Sequence, residues 1–489
     1  MSFRAPPAAS STSGASESGP VAALDVTAAC AEFVTAQALV IPEAARVIAR
    51  RCILDTFGLY VAGLHETSTR ILCDFARDQG GRAEARLLAG QGLRVPATTA
   101  ARVLATSAHA HDFDDTQVSH DPAHTYGLLM HPSVPPLTAV LVLADAPDVG
   151  IAADRALEAF LVGFEVECKI SEWMPADHYL RGHHTSGTVG TFGAAAAAAR
   201  LLGLDALQVR HALGMAASMA AGIRCNFGTM TKPLHVGRAA ENGVLAAMLA
   251  QRGYTADPAA LDGRWGFPAV LAGGFTPGKA AEGFGRSWTI VEPGVSIKPY
   301  PSGILTHQTM DAARALFVEH DVKPAAIERI DIHAGDNILA PIRYPVAANG
   351  LQAKFSLPAL VAMLALKRNV TIHEFDDAFV GGHAMQAMQR RIHTHRDATI
   401  NAQGFDRIRS RIEVTCTDGR RLVREADLRY RGGPLLPMTD REVEDKFRGC
   451  VQGLVDDAGA RTLAAVLDAG SQWNVPAVMG ALAGVRLAG

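Results

Sequence analysis

The chain has 489 residues, too many for a single compact core, because domains usually contain about 100–200 residues. Hydrophobic residues make up 48% of the chain and charged residues 19%, a composition that excludes a largely disordered or largely membrane-embedded protein. The 46 basic and 49 acidic residues give a net charge of −3, which argues against a broad nucleic-acid-binding surface. Anions must therefore be bound by locally placed cations.

The cysteine pattern and the apolar runs favour a soluble, cytoplasmic protein. The seven cysteines are scattered without a CxxC pair, which argues against a disulfide framework or a zinc ribbon and favours a reducing compartment. Residues 1–22 are rich in Pro, Ser and Gly and lack the apolar stretch of a secretory signal, so we predict a flexible tail there. Apolar runs such as 187–199 end too early to span a bilayer, which takes about 20 residues.

Residues 23–294 are predicted to be almost entirely helical, because apolar residues recur there at helical spacing. The predicted helices lie at 97–110, 152–172, 188–202, 207–221 and 237–252. Several are rich in alanine, including six consecutive alanines at 194–199. Small residues are typical of buried helices in a dense bundle.

The pattern changes after residue 294. Residues 328–334 alternate apolar and polar side chains, which predicts a half-buried strand. Residues 411–417 and 420–425 flank Asp418-Gly419, and this arrangement predicts a β-hairpin. Strands in this part of the chain indicate an α+β domain.

The predicted fold is mainly α, a large all-helical domain with an inserted smaller α+β lid domain. Helical patterns return at 439–467, where Thr439 and Glu442 are placed as a capping box. We predict a helical domain formed by 23–294 and 437–489, with the lid at 295–436. A site in the cleft between them would follow the usual preference for domain interfaces.

The densest polar cluster, at 107–116, follows an alanine-rich helix. It contains Asp112, Asp114 and Asp115, and mutual repulsion should raise the pKa of at least one of them if they are partly buried. A proton-transferring carboxylic acid requires such a raised pKa. Solvated acids at a helix end are the simpler alternative. A metal site is a third, although His109 and His111 lie two residues apart and do not share a helical face.

Two further segments carry candidate site residues. His131 is followed by a proline that restrains its backbone and can aim the imidazole, although a lone histidine is usually structural. Residues 181–191 form a Gly/Ser/Thr-rich segment that enters a helix and can bind a carboxylate or phosphate; an ordinary helix cap is the alternative. The segment has no GxGxxG pattern and follows no strand, which disfavours a dinucleotide.

Lys232 and Lys298 occur in matching contexts. Each precedes a proline, which predicts an extended backbone, and each comes just before a predicted helix. Both can act as charge clamps for carboxylates, and the alternative is a solvated loop lysine. A Schiff-base role is conceivable, but nothing in the sequence marks a carbonyl substrate. Cys225, between these motifs, is predicted to be a small buried apolar residue.

Five motifs in order resemble the MmgE/PrpD family, which includes 2-methylcitrate dehydratase, cis-aconitate decarboxylase and iminodisuccinate epimerase. The motifs are His111-Asp-Phe-Asp-Asp-Thr116, His131-Pro-Ser133, Gly182-His-His184 with Gly187-Thr-Val-Gly-Thr191, Lys232-Pro-Leu-His235 and Lys298-Pro-Tyr-Pro-Ser302. The similarity runs from about residue 23 to the C-terminus. It implies a helical domain built from both chain ends, an α+β lid, a homodimer, and no metal, nucleotide or organic cofactor.

The resemblance also implies the site residues. The catalytic residues would be Asp112, His131, His184, Lys232 and Lys298. The residues expected to contact the substrate around them are Thr185, Ser186, Thr188, His235, Tyr300 and Ser302. Two departures argue against cis-aconitate as the substrate: Ala359 stands where many relatives carry an aromatic hydroxyl or another polar residue, and the loop between Thr116 and His131 is longer than in the decarboxylases.

The function expected from the sequence is dehydration of a 2-methylcitrate-like hydroxy acid. Lys232 and Lys298 would clamp carboxylates with help from His184, while His131 exchanges the proton at carbon. Asp112 would orient His131 or itself act as acid or base. Decarboxylation or epimerisation of a cis-aconitate-like or iminodisuccinate-like substrate is the alternative within the family. A metal-dependent hydrolase and a non-catalytic carboxylate-binding protein are alternatives of other classes.

Overall fold

The computed structural model describes residues 25–117, 129–146, 151–276, 278–404, 407–468 and 474–486. The predicted tail at 1–22 and most of the loop between Thr116 and His131 lie outside these residues. The first part of the chain is helical, apart from a short antiparallel pair of strands, β1 (Ala85–Arg86) and β2 (Arg94–Val95). Its helices are α1 Val26–Thr35, α2 Glu43–Ala62, α3 Thr67–Gln79, α4 Ala97–His109, α5 Val134–Ala144, α6 Ala153–Trp173, α7 Asp177–Leu180, α8 Thr185–Thr188, α9 Gly190–Leu202, α10 Ala206–Met219, α11 Thr231–Gln251 and α12 Phe267–Ala272.

The second part of the chain adds a four-stranded sheet and ten helices among the described residues. The strands are β3 Ile327–Ala334, β4 Ile392–Arg396, β5 Ser410–Cys416 and β6 Arg421–Glu425, in the order β4-β3-β5-β6. Only the β3–β4 pair is parallel. The helices are α13 His307–Glu319, α14 Asp336–Leu339, α15 Gly350–Ala353, α16 Leu357–Lys367, α17 Asp377–Gly381, α18 His383–Gln389, α19 Ala398–Asn401, α20 Asp440–Val451, α21 Asp457–Ala464 and α22 Val475–Ala483.

The mainly α fold is confirmed. The predicted strand at 328–334 and the hairpin around Asp418-Gly419 are present as β3 and as the β5–β6 pair. The predicted capping box is also present, because the Thr439 side chain accepts from the Glu442 backbone N–H at the start of α20. The C-terminal helices return to the first part of the chain, where α20 packs on α2 and α22 packs on α5. The domain boundaries at 294/295 and 436/437 stay predictions.

The core of the first part lies between α5, α6, α9 and α11, which pack against one another. All six alanines at 194–199 of α9 are fully buried, as the alanine-rich pattern predicts. Among the helices that the structure describes, none combines the length and apolarity that crossing a bilayer requires.

We expect Gly163→Ala to destabilise the protein because α6 and α9 cross closely at this residue. A Cβ atom on Gly163 would lie 2.5 Å from the Gly193 carbonyl oxygen and 2.6 Å from Pro136 Cβ. Such overpacking typically costs about 1–3 kcal/mol. Thermal denaturation should show a lower midpoint for this variant. Gly449→Ala in α20 is the matched control, since no atom lies within 4 Å of its Cβ position. An unchanged midpoint for Gly163→Ala would contradict the close crossing.

Candidate active site

The site is built on the turn that follows α4. The helix ends at His109, and Asp112 then adopts a left-handed backbone conformation with φ of 51°. Aspartate tolerates this conformation better than most residues. The turn places the Asp112 carboxylate in the interior, where the residue is 3% exposed. A buried carboxylate must be paired, and this one is paired twice.

Two lysines converge on Asp112. Lys298 Nζ donates to the Asp112 carboxylate at 2.6 Å and to its backbone carbonyl at 2.9 Å. Lys232 Nζ lies 3.2 Å from the other carboxylate oxygen, Oδ2. Both lysines are buried. Residues separated by more than sixty positions in the sequence therefore bring two ammonium groups to one point.

The backbone predicted for Lys232 is wrong. Lys232 is the second residue of α11, which begins at Thr231, whereas the following proline predicted an extended conformation. Pro233 falls in the first helical turn, where a backbone N–H has no partner within the helix. The buried contacts of the Lys232 ammonium outweigh the local preference. Lys298 lies outside any helix or strand, as predicted.

The imidazoles of His109, His131 and His184 lie beside the two lysines. The hydrogen-bond partners of His109 and His131 fix which ring nitrogen carries the proton. His109 Nδ1 lies 2.8 Å from the Asp114 carboxylate, so it carries the proton and Nε2 accepts from Lys232 Nζ at 2.6 Å. His131 Nδ1 donates to the Asp115 carbonyl oxygen at 3.0 Å. Its Nε2 consequently faces the Asp112 carboxylate, at 3.8 Å from Oδ1. The ring centroids of His131 and His184 are 6.4 Å apart.

Burial and the lysines favour neutral imidazoles. Burial, reinforced by the Lys232 charge, lowers the pKa of His109 to about 3 against the opposing effect of Asp114. The same causes lower the pKa of His184, and burial together with the charges of Lys298 and Lys232 lowers that of His131. Burial also lowers the pKa of Lys232, and Lys298 contributes to the same direction. The site thus contains imidazoles that can accept a proton.

The three carboxyl groups of the turn behave differently. Burial alone would raise the pKa of Asp112, but Lys232 and Lys298 outweigh it and hold this pKa well below its usual value. For Asp114, His109 and His131 likewise outweigh burial. Burial raises the pKa of Asp115 to about 7, with a further contribution from Asp114. The predicted raised pKa therefore belongs to Asp115, whose carboxylate accepts from Ser133, and Asp112 is the paired anion.

The predicted substrate contacts divide into two groups. Ser186 Oγ accepts from the His131 backbone N–H at 3.0 Å, and His235 Nδ1 lies 3.1 Å from His184 Nδ1. Thr185 Oγ1 and His184 Nε2 are buried and have no hydrogen-bond partner among the described residues. Of the six predicted contacts, Ser186 and His235 therefore contact histidines of the site, and Thr185 directly follows His184 at the start of α8.

The remaining three have hydroxyls engaged elsewhere. Thr188 Oγ1 lies 2.8 Å from His178 Nε2, and Ser302 Oγ lies 3.0 Å from Thr306 Oγ1. Tyr300 Oη donates to Asp311 Oδ1 at 2.7 Å. Their contacts are those of structural residues, and contact with a substrate stays a prediction for all three.

Sequence reasoning left two members of the cluster out of the predicted site, His109 and Asp114. The only sequence signal for them was their position in the polar segment 107–116. From that segment, only Asp112 was predicted to be catalytic. Cys225 was predicted to be buried, and this is wrong, because it is exposed in a 3-10 turn.

The spacing of the imidazoles bears on metal binding. One nitrogen atom from each of His109, His131 and His184 can be chosen so that all three lie within 4.8 Å of one another, a spacing that would admit a cation. However, the Nε2 lone pair of His109 already accepts from Lys232. Asp112 and Asp114 also have ligand atoms within this spacing of His109 and His131, but the Asp112 carboxylate is already held by Lys232 and Lys298. Ammonium groups in direct contact with these donors disfavour a metal ion.

Comparison with known proteins agrees with the fold and the motifs. The MmgE/PrpD N-terminal domain matches residues 29–280, and the MmgE/PrpD C-terminal domain matches residues 300–469. The chain therefore belongs to the MmgE/PrpD family, which contains lyases. Human cis-aconitate decarboxylase is 29% identical over 411 residues, covering 82% of this chain and 83% of the human protein. The mouse cis-aconitate decarboxylase is 28% identical over 408 residues, covering 82% and 81%.

Proposed function

We propose that the chain is a cofactor-independent lyase that acts on a small di- or tricarboxylic acid by moving a proton next to a carboxylate. The observation that supports this most directly is the convergence of two buried ammonium groups on one carboxylate, beside neutral imidazoles. The Asp112 carboxylate supplies the negative charge between the two lysines. A substrate carboxylate has the same chemistry and can be held by the same two lysines.

The lysines have a second task in this reaction. Breaking a bond next to a carboxylate leaves an electron pair that is delocalised as an enolate. Preorganised cations stabilise this charge as it develops, and they do so more strongly in a dry site than in water. Lys232 and Lys298 are held in place by Asp112, and Lys232 also lies 5.3 Å from the centre of the Phe227 ring. The site therefore needs little reorganisation during the reaction.

His131 is the group we assign to proton transfer at carbon. Its Nδ1–H is held by the Asp115 carbonyl, which orients the ring and leaves Nε2 facing the Asp112 carboxylate that both lysines contact. A positioned general acid or base contributes about 10²–10⁴-fold. Asp114, 3.3 Å from His131 Nδ1, can stabilise the imidazolium when it forms.

Decarboxylation of a cis-aconitate-like acid is the first reaction to test. The human and mouse proteins of that name match this chain over 82% of its length. In this reaction the bond to one carboxylate breaks, carbon dioxide leaves, and the electron pair stays on the substrate as an enolate. His131 then gives a proton to carbon, so that one proton is consumed in each turnover.

Dehydration of a 2-methylcitrate-like hydroxy acid, the reaction expected from the sequence, is the second candidate. Ala359 favours it, because this buried position in α16 lacks the aromatic hydroxyl or other polar group expected in many relatives. Ala359 lies four residues after Phe355, which precedes α16, and the centre of the Phe355 ring lies 5.5 Å from Lys232 Nζ. The relatives support this reaction less directly than they support decarboxylation.

The test is to incubate the protein in heavy water with cis-aconitate, 2-methylcitrate and iminodisuccinate separately. We expect carbon dioxide release from cis-aconitate, with one deuterium incorporated at carbon, and persistence of activity in the presence of a chelator. Loss of water from 2-methylcitrate would instead assign the second reaction. No turnover and no deuterium exchange with any of these acids would overturn the proposed lyase. Activity that chelation abolishes would point to the metal-dependent alternative.

A further inference from the structure

The charged side chains of the site balance one another. The Asp112 and Asp114 carboxylates offset the ammonium groups of Lys232 and Lys298, and all four residues are at most 4% exposed. The pKa of each carboxyl lies well below its usual value because neighbouring lysines or imidazoles outweigh the effect of burial. A polycarboxylate that enters this site adds two or three negative charges to four buried groups whose charges already cancel. Burying unbalanced charge is costly, so a compensating positive charge is favoured.

His131 is placed to supply that charge. Its Nδ1–H is fixed by the Asp115 carbonyl at 3.0 Å, and Asp114 Oδ2 lies 3.3 Å from the same nitrogen. Its Nε2 therefore carries a lone pair that faces the Asp112 carboxylate at 3.8 Å. Two negative oxygens flank the ring. Protonation of Nε2 would make its contact with Asp112 attractive and would strengthen the existing attraction between Nδ1–H and Asp114.

The other charged or titratable groups around His131 come from four parts of the described chain. They are His109 and the Asp112–Asp115 turn after α4, His184 before α8, Lys232 in α11, and Lys298. Burial and the charges of Lys298 and Lys232 lower the pKa of His131, whereas Asp114 acts in the opposite direction. A bound carboxylate would offset the lysine charges and favour the imidazolium. Ligand binding must therefore raise the proton affinity of His131.

We propose that the site binds its polycarboxylate together with one proton from solvent, that His131 receives this proton, and that the same proton is delivered to carbon. This inference rests on the proposed function. In the decarboxylation step the carbon–carbon bond breaks, carbon dioxide leaves, and the enolate takes the proton from His131 Nε2. The imidazole returns to its neutral form, and the next substrate brings the next proton. Asp114 is the positioning residue that stabilises the intermediate imidazolium.

The experiment is calorimetric titration of the full chain with tricarballylate, a saturated tricarboxylate with neither hydroxyl nor double bond. Titrations in buffers of different ionisation enthalpy give the number of protons taken up on binding. A mildly alkaline pH keeps the ligand and free imidazoles deprotonated. We expect uptake of about one proton per bound molecule, and an affinity that falls about tenfold for each unit of rising pH.

His131→Gln tests the assignment, because glutamine keeps polar atoms of similar size but cannot be protonated. We expect this variant to bind tricarballylate with proton uptake near zero. His320→Gln, an exposed histidine on α13's C-terminal side, is the matched control and should leave the uptake unchanged. Asp115, with a pKa of about 7, is the rival acceptor. Proton uptake that persists in His131→Gln and disappears in Asp115→Asn would overturn the role of His131.

The outcomes separate this inference from the proposed function. Binding without proton uptake by the unaltered protein would overturn the inference and leave the lyase proposal standing. This result does not depend on the folding of any variant. Failure of tricarballylate, cis-aconitate and 2-methylcitrate all to bind would overturn both proposals.

Discussion

We expect the His131→Ala variant to lose at least about a hundredfold in turnover number while keeping its fold. The Nε2 lone pair of His131 faces the Asp112 carboxylate that both lysines contact. Among the described residues no ammonium group engages this lone pair, whereas that of His109 accepts from Lys232. Alanine leaves a small polar space that water can enter. Steady-state kinetics should show the loss mainly in kcat, with the acid that the heavy-water experiment identifies as the substrate. Near-wild-type turnover would remove His131 from the scheme.

We expect Lys232→Ala to lower turnover by a similar factor, for an electrostatic reason. Loss of one preorganised contact to a developing anion costs about 2.7–4 kcal/mol of transition-state stabilisation. Asp112 would keep its shorter contact with Lys298, at 2.6 Å, so its buried charge remains paired and the fold is preserved. Both KM and kcat should change, because Lys232 holds the substrate as well as the enolate.

Controls distinguish the lost charge from a damaged structure. Lys323→Ala removes an exposed lysine and should leave kcat, KM and the thermal denaturation midpoint unchanged. Lys232→Arg keeps a positive charge but changes its shape, so we expect partial activity at best. If Lys232→Ala retains its turnover with an unaltered midpoint, the lysine does not take part in the reaction.

The regular elements could be predicted where one face is buried. In β3, Ile330 and Ile332 are fully buried, and the alternation of their polar neighbours identified the strand. The edge strand β4 escaped prediction because only Ile392 is buried in it, so its sequence has no alternation. A strand of this kind forms because β3 offers a partner, and this partner is remote in sequence.

The site could be predicted only through the order of its motifs. Spacing alone could not show that Lys232 and Lys298 contact one carboxylate, because that contact depends on how α11 packs against the turn after α4. His109 and Asp114 likewise belong to the site because of tertiary packing, which the local sequence does not show. A polar side chain at a helix end is solvated or buried according to what covers it, and local sequence does not contain that information.

The stability of the helical part should depend strongly on a second buried ion pair, which lies beside the turn that carries the site. Lys446 in α20 lies 2.7 Å from Asp55 in α2, and the two side chains are 4% and 1% exposed. Lys446 Nζ also donates to the Phe113 carbonyl at 2.8 Å. We expect Lys446→Met to cost about 3–5 kcal/mol, because it leaves the Asp55 carboxylate buried without its cation. Thermal denaturation of the variant should show a clearly lower midpoint.

The pH dependence of the stability lost in Lys446→Met shows whether the unpaired Asp55 charge causes the loss. Burial raises the pKa of Asp55 even beside Lys446, and removal of the lysine must raise it further. A carboxyl whose pKa is higher in the folded than in the unfolded state binds more protons when folded, so stability falls as pH rises through that interval. The Lys446→Met variant should therefore approach the unaltered protein at acidic pH and differ most at alkaline pH. The double variant Lys446→Met/Asp55→Leu, which removes both charges, should recover most of the lost stability at all pH values. Equal destabilisation of the single and double variants would mean that α20 is held by apolar packing and that the ion pair contributes little.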